Sequence, residues 1–210
     1  MYPGQEPERP RRPAVSRPAL AAMRVFGAVA ALLLAAPAAP AGARADASVA
    51  EPAGYWTGDI NSPTPATLQG GQVIHTTQTS RLVKAGGAII VDVSTAPRRP
   101  QELAPNAPWL PVPHPGIPGA VWIPGAGLGV IPAALNDFYR ARLATLTEGD
   151  FSRALVIYCH QRCWLSWNAA RRAIHYGYRN VSWFPEGIEG WKAKGLQTQT
   201  LEPQAPRPGS

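Results

Sequence analysis

The pattern of hydrophobic and polar positions in the second half of the chain predicts a buried sheet. Short, almost uninterrupted apolar runs occur in AIIVDV (residues 88–93), ALVIYC (154–159) and NVSWF (180–184). Such runs, rich in β-branched and aromatic residues, are typical of strands that are buried on both faces. We therefore predict three strands here, and a further short strand in AVWIP (120–124).

Two other segments have the periodicity of helices that lie against a core. The segment at residues 131–147, IPAALNDFYRARLATLT, has Pro132 at its start, where proline suits the first helical turn. One face of this helix is predicted to carry Leu135, Phe138, Arg142 and Leu146. The segment TTQTSRLVKAGG (76–87) predicts a shorter helix that ends at its glycines and follows a short strand at residues 73–75.

The stretch between the apolar runs at 154–159 and 180–184 predicts a helix from Ser166 to Tyr176. Ser166 suits the N-cap position, and Gly177 suits the left-handed residue that follows a helix. Small residues form one face of this helix, at Ala169, Ala170, Ala173 and Ile174. A strand, helix and strand joined by such a short return form a right-handed crossover, so the two strands must be parallel. The fold class is therefore α/β.

The N-terminal segment resembles a secretory signal peptide. From Met23 the chain reads MRVFGAVAALLLAAPAAPAGARADA, with a basic start, an apolar centre and small residues before an expected cleavage after Ala45. An uncleaved membrane anchor is the alternative, but Pro37 and Pro40 interrupt the apolar run. We expect export without stable membrane insertion after cleavage. Residues 1–45 would be an upstream extension plus this signal, and translation can start at Met1 or Met23.

The remaining chain is expected to contain one domain. Residues 46–72 predict an irregular N-terminal arm that contacts the domain through Tyr55 and Trp56. Residues 73–198 form the domain itself, and 199–210 are predicted to be a disordered tail. Residues 94–120 are rich in proline and predict either a long ordered loop or a partly mobile lid.

Charge and composition exclude several classes of function. The chain carries a formal charge of +7, but residues 1–45 contain six Arg and two Glu, which leaves 14 basic and 11 acidic residues, a charge of +3. Nucleic-acid binding therefore loses its support. No glycine-rich nucleotide loop is present, and the histidines lack the paired spacing of metal ligands. These are His75, His114, His160 and His175, predicted to be surface or loop residues. We expect no metal and no cofactor.

Both cysteines of the chain lie at the end of the apolar run 154–159. In an open parallel sheet, ligands bind outside the carboxyl ends of the strands, where Cys159 would lie. The N-terminus of the following helix favours an anion and lowers the pKa of a nearby thiol. Cys159 is thus a candidate nucleophile. Cys163, four residues later, is close enough for a disulfide if the loop curls around Cys159.

The segment LVIYCHQRCWLSWNAARRAIHYGYRNVSWFPEGIEGWKAKGL resembles the catalytic half of a rhodanese domain. AIIVDV and IPGAVWIP resemble other segments of that fold, so the similarity covers residues 73–198. The pattern CW-SWNAA, with YGYRNVSWFPEGIEGW and PRRP, is similar to the CXXCW-motif proteins encoded near pyrroloquinoline-quinone (PQQ) dependent alcohol catabolism enzymes. This resemblance implies a periplasmic protein with a single rhodanese-like domain, a parallel central sheet and helices on both faces.

The resemblance also implies a chemistry for the cysteine loop. The cysteine that matches Cys159 takes a sulfane sulfur from a donor, holds it as a persulfide among the loop amides and passes it to a thiol acceptor. The matching loop comprises His160, Gln161, Arg162, Cys163, Trp164 and Leu165. Asp92 and Ser166 are possible supporting residues, and Asp92 matches an acid that is more often structural than catalytic. Leu165 stands where rhodanese-like phosphatases place an arginine, which argues against phosphatase activity.

Three functions remain open at this point. The first is a thiosulfate-type sulfurtransferase in which Cys163 is a resolving thiol or simply packs below the loop. The second is a thiol–disulfide redox protein that uses Cys159 and Cys163. The third is a non-catalytic binding or maturation factor for a periplasmic quinoprotein dehydrogenase system. Three side chains add further alternatives, because Trp164 and Trp167 can pack or wall a pocket for a planar ligand such as PQQ, and His160 can stabilise a thiolate or point away.

Overall fold

A computed structural model describes residues 49–97, 101–104 and 113–206, so the predicted upstream extension and signal peptide lie outside the described residues. Along the chain the elements are β1 (Gln72–Val73), α1 (Thr76–Ala85), β2 (Ile89–Asp92), β3 (His114–Gly116), β4 (Val121–Trp122), α2 (Ala133–Leu146), β5 (Leu155–Tyr158), α3 (Trp164–His175), β6 (Val181–Phe184), α4 (Gly187–Ala193) and β7 (Gln199–Leu201). Within those ranges, none of the helices is both long and apolar enough to cross a membrane.

The central sheet has five strands in the order β1-β6-β5-β2-β4. Every neighbouring pair is parallel, as the crossover between β5 and β6 predicted. All four residues of β5 and of β6 are buried, which explains why both strands are mainly apolar, with Ser182 as a polar exception in β6. The predicted strands and their parallel arrangement are confirmed.

Helices cover both faces of this sheet, so the predicted α/β architecture is confirmed. Alternate residues of β5 point to opposite faces. Leu155 and Ile157 belong to the core that α2 and α3 complete. Val156 and Tyr158 belong to a second core that α4 closes and to which α1 contributes partly buried side chains. The end of β5 is therefore buried between two helical layers.

The prediction that Ser166 caps α3 is wrong. The helix begins two residues earlier, at Trp164, and Cys163 occupies the N-cap position. Trp164 and Leu165 are both buried, and the earlier helix start packs their large apolar side chains into the core. Ser166 donates from its hydroxyl to the carbonyl of Cys163 (3.0 Å) and accepts from the Trp183 indole N–H (2.9 Å). Ser166 is thus a bridge between α3 and the sheet.

The end of α3 follows the prediction. Gly177 has a left-handed φ of 105°, and its N–H donates to the carbonyl of Ile174 at 2.9 Å. The N–H of Tyr178 donates to the carbonyl of Ala173 at 3.2 Å, so the chain folds back on the last turn. Only glycine adopts this backbone region without a steric cost, which is why the sequence signal was reliable.

Helix α2 forms where predicted, but its most buried side chains are different. Tyr139 and Leu143 are fully buried, whereas Leu135 and Phe138 are only partly buried against the same core. The Tyr139 hydroxyl donates to the carbonyl of Ala169 in α3 at 3.2 Å. A phenol with such a partner can be buried. Because Tyr139 carries a polar hydroxyl group, the sequence prediction did not include it in the buried face of the helix.

The C-terminal segment is not the disordered tail that the sequence predicted, at least as far as residue 206. Strand β7 pairs antiparallel with β3, a strand within the proline-rich 94–120 segment. Beyond β7, the N–H of Gln204 donates to the carbonyl of Trp122 at 2.8 Å. These contacts join segments far apart in sequence, so no local pattern announces them. Residues 207–210, and residues 98–100 and 105–112 of the proline-rich segment, lie outside the described residues.

Candidate active site at the Cys159–Cys163 loop

The two cysteines lie below a short exposed bridge between β5 and α3. Cys159 directly follows β5 and Cys163 is the N-cap of α3, and both are buried. The structure joins them in a disulfide with their Cα atoms 6.3 Å apart. The three residues between them, His160, Gln161 and Arg162, are exposed. The loop is therefore shorter than the predicted 160–165 segment, because Trp164 and Leu165 belong to α3.

Cys163 lies directly at the N-terminus of α3, where its side chain makes no capping hydrogen bond. Sequence reasoning assigned the stabilising effect of the first-turn amides to Cys159 alone. The structure places Cys163 at the N-cap, adjacent to these amides. The partial positive charge of a helix N-terminus favours a thiolate there. Both cysteines are therefore in a position that favours nucleophilic sulfur.

The outer side of the loop is bound to α4 by a carboxylate. Glu189 accepts from the N–H of Gln161 at 2.8 Å, and its other oxygen lies 3.0 Å from Nδ1 of His160. Burial raises the pKa of the Glu189 carboxyl, but the hydrogen bonds from His160 and from the Gln161 N–H outweigh this and hold the pKa below its ordinary value. The side chains of His160 and Glu189 are each about half exposed and contact one another, whereas Cys159 is buried.

At the start of helix α4, a second carboxylate binds another segment of chain in the same way. Glu186, the N-cap of α4, lies 2.6 Å from Nδ1 of His75 and accepts from the N–H of Thr76 at 3.1 Å. Each carboxylate thus binds a histidine ring and the next backbone N–H. Glu186 fixes the start of α1, and Glu189 fixes the cysteine loop.

The start of α4 also touches the backbone of Cys159. The N–H of Ile188 donates to the carbonyl of Cys159 at 3.0 Å. Gly187 has a φ of 56°, and a Cβ added there would overlap the backbone of Cys159 and His160. A glycine is therefore required at position 187 by this close approach.

The N-terminal arm covers the start of α3, next to Cys163. The carbonyl of Ile60 accepts from the N–H of Trp164 at 2.9 Å. The Trp56 ring stacks on the Trp164 ring with centroids 4.5 Å apart and an interplanar angle of 12°. Trp164 and Trp167 are fully buried, and Trp167 donates from its indole N–H to the carbonyl of Thr67 at 3.0 Å. The contacts support the packing interpretation of both rings rather than a ligand pocket.

Asp92 lies on the other face of the sheet from Cys159. Its carboxylate accepts from the N–H of Ser94 at 2.8 Å and lies 2.9 Å from Nε2 of His114. Asp92 pairs in register with Tyr158, whose side chain faces the α4 core, whereas Cys159 belongs to the α3 core. Burial, and then the charge of Asp92, raise the pKa of the Tyr158 phenol well above its ordinary value. The geometry favours a structural role for Asp92.

His114 is largely buried in a strand, whereas the sequence predicted a surface or loop residue. The histidine lies in β3, its side chain only 11% exposed, and stacks on Trp122 with centroids 3.9 Å apart. Its partner Asp92 is 22 residues away in sequence, across the proline-rich segment. No motif links residues at that separation, so only the folded structure brings them together.

Arg162 provides the exposed positive charge of the loop. It has a left-handed φ of 57°, which is uncommon for a residue with a side chain. Among the residues that the structure describes, it has no hydrogen-bond or ion-pair partner. An unpaired guanidinium beside a buried cysteine pair can meet an anionic substrate without losing an internal contact.

A family model and several solved structures are similar to this chain. The family model described as "Rhodanese-like domain" matches residues 76–194, more than half of the chain. Among solved structures, the BH2092 protein from Bacillus halodurans is 21% identical and has a TM-score of 0.40, over 61% of this chain and 77% of that one. A thiosulfate sulfurtransferase from Pseudomonas aeruginosa is 20% identical with a TM-score of 0.45, over 67% of this chain and 22% of that one.

A human single-domain sulfurtransferase is similar at 22% identity and a TM-score of 0.34, over 58% of this chain and 96% of that one. Among curated proteins, none matches the sequence. The family assignment rests on the model match, which runs from α1 to α4 and includes the cysteine loop and four of the five strands of the parallel sheet. The chain belongs to the rhodanese-like domain family.

Proposed function

We propose that this protein is a sulfurtransferase that forms a persulfide on Cys159. The observation that carries the proposal is the position of Cys159, which directly follows β5 in the parallel sheet and precedes the N-terminus of α3. Substrates of open parallel sheets bind at this edge, and the helix N-terminus favours the thiolate. A thiolate so placed is an activated nucleophile.

The chemistry needs a reduced Cys159 and a sulfane-sulfur donor. With thiosulfate, the Cys159 thiolate attacks the outer sulfur, the sulfur–sulfur bond of the donor breaks, and sulfite leaves with the electron pair. The outer sulfur remains on Cys159 as a persulfide, from which a thiol acceptor can take it. Arg162 is exposed beside the loop and suits an anionic donor.

Sulfite release is the test of this proposal. Reduced full-length protein is expected to release one equivalent of sulfite from thiosulfate, and Cys159→Ser is expected to reduce this to background. Sulfite reports the first step alone, whatever happens to the persulfide afterwards. A reduced wild-type protein that neither releases sulfite nor gains sulfur from a thiol persulfide contradicts the proposal.

A second candidate function is thiol–disulfide exchange, which the Cys159–Cys163 disulfide favours. In this function the pair accepts two electrons from a partner dithiol without a sulfane donor. Thiols that remain free when the reduced protein stands in air exclude it. Sulfite release distinguishes the two functions, because disulfide exchange alone does not consume thiosulfate.

We further propose a periplasmic location and a role beside PQQ-dependent alcohol or aldehyde oxidation. The signal-like segment before Ala45 and the CW-SWNAA pattern support this. Deletion of the protein is expected to abolish growth of its source organism on alcohol, and Cys159→Ser is expected to fail to restore it. Restored growth with Cys159→Ser would instead support a non-catalytic maturation factor for a quinoprotein dehydrogenase system.

A further inference from the structure

We propose that Cys163 cleaves the Cys159 persulfide, so that the protein releases sulfide and is then reset by an external dithiol. This inference rests on the proposed function, because it begins with a persulfide on Cys159. It changes the product of the reaction: the sulfane sulfur leaves as sulfide rather than being transferred intact to an acceptor. The protein then acts as a dithiol-dependent sulfane-sulfur reductase.

Cys163 is placed to attack the inner sulfur of the Cys159 persulfide. The disulfide places the Cys163 sulfur on the Cys159 sulfur, which is the inner sulfur of the persulfide. A nucleophile that reaches the inner sulfur expels the outer one, whereas an acceptor that takes the sulfur intact must reach the outer one. Only three residues separate the two cysteines, so the attack is intramolecular and its entropic cost is small.

The position of Cys163 favours the thiolate form of its side chain. As the N-cap of α3 it adjoins the first-turn amides of a 12-residue helix. These amides and the helix dipole favour the thiolate, which is the attacking species.

The surroundings of Cys159 offer few free hydrogen-bond donors and little space for a persulfide. Two amides around the cysteines already have acceptors within the protein: the N–H of Gln161 in the loop binds Glu189, and the N–H of Trp164 at the start of α3 binds the carbonyl of Ile60. Cys159 has no exposed surface and is part of the α3 core. An additional sulfur therefore has fewer donors to stabilise its charge, and close packing around it.

The step balances without any group beyond a dithiol. The Cys163 thiolate forms a bond to the Cys159 sulfur, the bond between that sulfur and the outer sulfur breaks, and the outer sulfur leaves with the electron pair and takes a proton to give HS⁻. The two cysteine thiols are oxidised to a disulfide as the sulfane sulfur is reduced to sulfide. An external dithiol then reduces the disulfide and becomes a disulfide itself.

A single-turnover reaction tests this. Reduced full-length protein, freed of added thiol, is mixed with thiosulfate, and sulfite, sulfide and protein mass are measured over time. We expect the wild-type protein to release one equivalent of sulfide after sulfite and to lose the mass of two hydrogens. In Cys163→Ser, sulfide is expected to fall to background, and the protein is expected to keep the mass of one added sulfur for each sulfite that it releases.

Cys163→Ala is a second variant, because the buried site accommodates a methyl group without an unpaired hydroxyl. Thermal unfolding of both variants shows that they are folded, and the wild-type reaction stands by itself if neither is. Wild-type protein that releases sulfite and retains the added sulfur overturns this inference while the proposed function stands. Sulfide release that persists in both variants also overturns it. Absence of sulfite with every protein, together with no gain of sulfur from a thiol persulfide, rejects the proposed function, and this inference with it.

Discussion

Replacing Gly187 by alanine is expected to lower the free energy of unfolding by about 3 kcal/mol and to disturb the cysteine loop. The glycine has a φ of 56°, a region in which a side chain costs roughly 1–2 kcal/mol. The added methyl group would also overlap the carbonyl of Cys159 and the backbone of His160. Backbone cannot move aside as a flexible side chain can, so forced displacement adds about 1–3 kcal/mol.

The matched control for this change is Gly86→Ala. Gly86 follows α1 with a similar φ of 62°, but a methyl group there would meet nothing within 4 Å. Its expected cost is therefore only the conformational part, about 1–2 kcal/mol. Urea denaturation measures both, and sulfite release from thiosulfate reports on the loop. Equal costs in the two variants would show that the contact of Gly187 with Cys159 is not tight.

The elements that could be predicted from the sequence are those with a local physical cause. A strand buried on both faces is mainly apolar, so β2, β5 and β6 were visible as apolar runs, although Asp92 and Ser182 interrupt two of them. The short return from β5 to β6 required a parallel pair, and from that pair followed the position of Cys159 at a carboxyl edge.

The parts that could not be predicted depend on contacts between distant segments. Trp164 begins α3 because its ring is stacked on Trp56, more than a hundred residues earlier. The carboxylate that binds the loop comes from Glu189, on the helix after the next strand. Neither contact leaves a periodic trace in the sequence. The N-cap position of Cys163, and hence its proposed role, could be recognised only after these contacts placed the helix start.

The buried side chain of Asn168 makes one of several contacts between the N-terminal arm and α3. Asn168 accepts from the N–H of Trp56 at 2.9 Å and donates to the carbonyls of Trp56 and Gly127, each at 2.9 Å. It therefore joins three segments of chain, and its own side chain is fully buried. The two hydrogen bonds to Trp56 fix the backbone of this residue, and its ring stacks on Trp164 beside the cysteine loop.

Asn168→Ala is consequently expected to destabilise the fold by about 3 kcal/mol, because partly buried backbone groups of Trp56 and Gly127 lose their partners. The matched control is Asn180→Ala, since Asn180 is exposed and makes a single side-chain hydrogen bond of 3.4 Å. Its expected effect is within about 0.5 kcal/mol. Urea denaturation measures both, and proteolysis of the arm is expected to accelerate only in Asn168→Ala. Similar stabilities for the two variants would mean that packing, rather than this amide, holds the arm on α3.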